Sequence, residues 1–144
     1  MEKQPQFPFA PKDFARCLNA TCPRSQNCLR RTAALQDTDE HLFLKVVNPL
    51  RYPKEGEECE LFRSTDKVRM AWGVTHLLDN VPYKEGSLLR NMIINHLGRS
   101  QYYRCFRKER PFAPQDQQTI RMPFRQRGIS EEPSFDYYTN EFNW

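Results

Sequence analysis

Three cysteines within twelve residues, Cys17, Cys22 and Cys28 of CLNATCPRSQNC, and a fourth at Cys59 in GEECELF place two distant segments under one constraint. Thiolates are soft ligands that suit zinc and iron–sulfur clusters, and three from a tight loop plus one from afar complete a four-coordinate site. Such a site staples the chain around residue 17 to the chain around residue 59. The loop cysteines are separated by four and five residues, off the paired Cys-x-x-Cys knuckles of zinc ribbons, and Pro23 directly after Cys22 is as much at home in the cysteine loops of iron–sulfur proteins. Zn2+ is the first expectation at Cys17, Cys22, Cys28 and Cys59, an iron–sulfur cluster the alternative. The bland reading is that no metal binds and the thiols are small buried hydrophobes. Cys105 stands apart and reads as a packing residue.

The compartment bears on this choice. No run of about 18 apolar residues exists, so no membrane span is expected. Pro5, Pro8 and Pro11 break up the N-terminal stretch where a secretory signal would need an apolar run. A cytoplasmic protein is expected, with reduced cysteines that turn attention from disulfides to metals.

A chain of 144 residues can bury a real core and reads as one compact unit, with a cysteine-rich N-terminal subdomain at 1–63 and a helical region at 64–144. Its net charge of +4 is unevenly spread. Residues 84–128 carry 10 basic and 3 acidic groups, whereas residues 1–83 carry 12 and 11 and residues 129–144 carry 0 and 4. That concentration is what a polyanion-binding surface needs.

In chain order, residues 1–13 read as a proline-rich arm whose Phe7 and Phe9, with Phe14 beyond it, plug into the body. Residues 25–35 suit a helix, while HLFLKVVNP and CELFRS alternate as the two strands of a hairpin. The spacing of Val68, Ala71, Trp72, Thr75 and Leu78 predicts a core helix over 65–78 behind Ser64, with His76 half-exposed on it. Leu89, Met92, Ile93, His96 and Leu97 form the buried face of a second helix capped by Ser87. Gly98 ends that helix, and Ser100 caps a third running through Tyr102 and Lys108. A last helix opens at Ala113 or Pro114, has Ile120 and Phe124 as its core contacts, and kinks or ends early near Met122 because Pro123 removes an amide donor. Phe135, Tyr138, Phe142 and Trp144 are too apolar to hang free, so they pack on the body or on a second copy, as in a homodimer.

Residues 64–128 resemble helix-turn-helix domains of the phage-repressor-like kind, through Leu97, Gly98 and Ser100 of LGRS and through Tyr102, Tyr103 and Arg104. The whole chain, with CLNATCPRSQNCLRR, VNP, AWG and YYRCFRKERPF, resembles an uncharacterised family of small bacterial proteins. The helix-turn-helix resemblance implies duplex DNA as the partner. Gln101, Tyr102, Arg104, Cys105 and Lys108 would then face the major groove, while Arg99, Arg107, Arg110 and Arg125 hold phosphates.

Enzyme chemistry is the weakest reading. His41, His76 and His96 are scattered without a paired nucleophile or carboxylate, and the five glycines form no phosphate-cradling loop. The expected protein is an α+β, mostly α-helical domain, its cysteine-rich subdomain and β-hairpin packed on a helix-turn-helix-like bundle. Its expected function is that of a small DNA-binding transcriptional regulator with a metal- or cluster-stapled N-terminal region. The alternative is a metal-stapled protein–protein interaction module.

Overall fold

The structure is a computed structural model that describes residues 8–36 and 38–144, so the expected anchor Phe7 lies outside the described residues. The chain divides into two compact units, Met1–Asp66 with Phe142–Trp144, and Lys67–Glu141. Its class is α+β, with 38% of the described residues helical when the 3-10 turns are counted, the mostly helical class expected from the sequence. Among the described residues no helix is long and apolar enough to cross a membrane.

The N-terminal unit is built from short elements. A 3-10 turn at Ser25–Asn27 leads into helix α1, Leu29–Ala34, and further 3-10 turns follow at Thr38–Glu40 and Pro49–Arg51. Leu29 and Ala33, four residues apart on one face of α1, are fully buried and pack with Ala10 and Phe14. Phe142 and Trp144 close this cluster, with the Trp144 ring edge-on to Phe14 at 5.3 Å. Phe9, by contrast, stays 71% exposed and does not plug into the body.

No hairpin forms in this unit among the described residues. Leu42 and Phe43 are 96% and 93% exposed, and the backbone after them pairs with the N-terminal segment instead. The Arg16 amide donates to Lys45 O at 2.9 Å, and the Val47 amide donates to Arg16 O at 2.8 Å, a single parallel bridge. The CELFRS segment likewise makes one bridge, Cys28 with Ser64, in place of a strand. Alternating apolar residues make a strand only where a partner edge exists, and here each segment found one residue of it.

The second unit holds β1 (Lys67–Trp72), α2 (Tyr83–Leu97), α3 (Arg99–Phe106), α4 (Pro114–Gln126) and β2 (Tyr137–Phe142, its final residue counted with the first unit). The two strands pair in one antiparallel sheet. Leu89, Ile93, Tyr102, Cys105, Phe112, Ile120 and Phe124 form the core together with Ala71 and Phe135.

In place of the expected helix over 65–78 the chain forms strand β1 and a turn after it. Ala71 exchanges backbone hydrogen bonds with Phe112, at 3.0 and 2.7 Å, and Gly73 then turns the chain with φ of +76°. Any Cβ at Gly73 would collide with the Asp136 carboxylate, whose Cγ lies 2.7 Å from that position. Asp136 cannot swing away freely, because it accepts hydrogen bonds from the Thr75 amide and hydroxyl and pairs with Lys108 at 3.2 Å.

Leu89 and Ile93 are buried in α2 as their spacing predicts, but Met92 is only half-buried and His96 is exposed. The helix begins at Tyr83 behind Pro82, so Ser87 lies inside it and caps nothing. Gly98, with φ of 89°, joins α2 directly to α3, and Ser100 falls within the first turn of α3. Helix α4 runs through Pro123 to Gln126. Burial of Ile120, Pro123 and Phe124 holds that turn together against the missing amide.

Candidate metal centre

All four expected ligands, Cys17, Cys22, Cys28 and Cys59, line one cavity in the N-terminal unit, with a volume of about 30 Å³. About 10–15 Å³ suffices to seat one water. The space therefore has room for a bound ion. Arg24, Arg30, Arg31, Arg51, Tyr52 and Phe62 line the same wall.

Local backbone contacts bring each cysteine there. The Cys17 amide donates to Arg30 O at 3.0 Å. Cys22 is turned in by the Ser25 amide, which donates to Cys22 O at 3.1 Å at the start of the 3-10 turn. Cys28 sits immediately before α1 and bridges Ser64. Cys59 is set by a turn in which the Phe62 amide donates to Cys59 O at 3.3 Å. The thiols stand around the wall: among the described residues no group of three or more His, Cys, Asp or Glu is drawn to the spacing of a metal's ligands.

The arginines were not legible as part of this site. Arg30 donates from Nε to Leu61 O at 2.7 Å and from Nη1 to Ala15 O at 3.0 Å, with its guanidinium 4.7 Å from the centre of the Phe14 ring. Burial holds its pKa below the ordinary guanidinium value, and Arg63 adds to that, while Cys28, Cys59 and Cys17 act in the opposite direction. Arg24 lies 3.5 Å over the Phe62 ring, and Arg31 donates to Cys17 O at 3.5 Å. The only sequence signal is the pair Arg30–Arg31 placed just after Cys28.

A family model described as a family of unknown function, DUF6078, matches residues 1–144. The chain belongs to DUF6078. No curated protein and no solved structure matches it.

In this DUF6078 chain two of the residues expected to meet DNA are buried. Tyr102 and Cys105 are 5% and 0% exposed and belong to the core, so neither reaches a groove. Burial pushes the Cys105 thiol up to about 11, and its Sγ lies 3.8 Å from Pro111 O. The face of α3 that carries them packs inward because a short helix with Tyr102, Tyr103 and Phe106 can bury either side, and neighbouring Ile93 and Ile120 select this one. Gln101 donates to Asp116 at 3.1 Å, tying α3 to α4. Arg107 and Lys108 fall beyond the end of α3 and pair with Glu109 at 2.7 Å and Asp136 at 3.2 Å. Arg99 leans over Tyr103 at 5.5 Å. Arg104, Arg110 and Arg125 are exposed.

Proposed function

We propose that this protein is a metal-stapled binding protein and not an enzyme, with one Zn2+ ion held by Cys17, Cys22, Cys28 and Cys59. The convergence of all four thiols on a single cavity of about 30 Å³ carries the reading. Zinc takes four thiolates at about 2.3 Å in a tetrahedron, so binding draws the side chains inward from the wall they now line. The unit around them has a core of only a few residues, and a cross-link between the segments of Cys17 and Cys59 supplies what that core lacks.

Elemental analysis and an absorption spectrum of anaerobically purified protein test this. Colourless protein with one zinc per chain is the expected result. A brown chromophore that bleaches in air would replace zinc by an iron–sulfur cluster. Protein without metal, whose stability ignores a chelator, would end the metal reading.

A second reading, duplex DNA binding by the helical unit, is favoured by the Gly98 junction between α2 and α3 and by exposed Arg104 and Arg110. If it is right, Arg104→Ala relaxes sequence preference at a cost of about 1–3 kcal/mol, while Arg110→Ala weakens all duplexes alike. Fluorescence anisotropy at two salt concentrations measures both. Absence of duplex binding at about 100 μM protein and low salt, weaker than ordinary non-specific binding, would leave the protein–protein interaction module.

A further inference from the structure

We infer that Arg30 is the positioning residue of the thiol site, its guanidinium tying together the segments that carry Cys17 and Cys59 so that these backbone segments are in place before an ion draws the thiols inward. The inference rests on the metal reading above. Its geometry is specific. One guanidinium N–H reaches Ala15 O, two residues before Cys17, and another reaches Leu61 O, two residues past Cys59. The Arg30 carbonyl accepts the Cys17 amide, and Arg30 itself stands two residues after Cys28 on α1. Three of the four cysteine segments therefore meet at this one residue.

The planar guanidinium presents N–H groups in fixed, divergent directions, which lets one side chain hold two carbonyls of different segments. An ammonium is a point donor without that fork. Charge works in the same sense: four thiolates around Zn2+ leave two negative charges, and Arg30 lines the same cavity as the four cysteines. Arg51 lines the same cavity, but it only pairs with Glu60 at 3.7 Å, and both side chains are largely exposed.

The test uses the full chain with Zn2+ in competition against a chromophoric chelator, and the Co2+ thiolate absorption as a second readout. Removing a side chain that orients metal ligands typically lowers affinity by about 10- to 100-fold. Arg30→Ala should fall in that range, with a shifted Co2+ band and a smaller zinc-induced rise in melting temperature. Arg30→Lys, which keeps the charge but loses the fork, should be intermediate, and it serves if the alanine variant does not fold. Arg90→Ala, at an exposed position on α2 in the other unit, should bind like the wild type. Wild-type affinity and an unchanged Co2+ band in Arg30→Lys and Arg30→Ala, with melting lowered equally in zinc-free and zinc-loaded protein, would reduce Arg30 to a fold-supporting residue and overturn the inference. Wild-type protein that takes up no zinc would instead overturn the metal reading beneath it.

Discussion

Cys59→Ser should lose its bound ion and melt well below the wild type. Cys59 is the one thiol of the cavity supplied from outside the twelve-residue loop, so its loss opens the link between the two segments. Binding free energy at a structural metal site is folding free energy, and a loss of about 3 kcal/mol corresponds to roughly 12 °C or more for a unit of this size. Differential scanning fluorimetry with and without chelator reads the effect. Chelator should bring the wild type down to the variant and leave the variant where it is. Cys105→Ser provides the contrast, since its thiol is buried in the other unit and should leave the zinc content intact. A Cys59→Ser protein that keeps one zinc per chain and melts like the wild type would exclude the staple.

Phe112→Ala should cost about 3–5 kcal/mol, the range for a large aromatic removed from a packed core. Phe112 is fully buried, its ring centre is 5.5 Å from that of Phe135, and its backbone exchanges both hydrogen bonds with Ala71. The substitution keeps those backbone bonds and empties the space between β1, α4 and Phe135. Urea unfolding should show a lower midpoint at an unchanged slope. Tyr83→Ala, at a side chain 99% exposed, should change the unfolding free energy by no more than about 0.5 kcal/mol. Equal effects of the two substitutions would mean that Phe112 does not anchor the helical unit.

The contrast between α2 or α4 and β1 explains what could be read from residues alone. The inward positions Leu89, Ile93, Ile120 and Phe124 were legible because i, i+4 spacing is decided within a few residues. Val68, Ala71, Trp72 and Thr75 satisfy the same helical spacing, yet they lie on β1 and in the turn after it. What decides their conformation is Phe112, some forty residues on, together with the Asp136 carboxylate that Gly73 must avoid. No local pattern announces either partner. At the thiol cavity the cysteines were legible, because their chemistry is rare and their spacing short. Arg30 was not, since its targets are the carbonyls of Ala15 and Leu61, and a carbonyl looks the same under every side chain. Two positions of α3 were misread for a related reason: Tyr102 and Cys105 suit a groove or a core equally well until their neighbours are known.

The placement of Phe142 and Trp144 with the N-terminal unit bears on how the chain leaves the ribosome. Residues 8–66 emerge early, but the aromatic pair that closes over Phe14 and Leu29 follows only after all of Lys67–Glu141 has been translated. During that interval the helical unit can already collapse, because its own core comes entirely from 67–141. Of these two units the one made first is thus finished last, and through most of translation Phe14 and Leu29 must hold their places without the aromatic pair that later covers them.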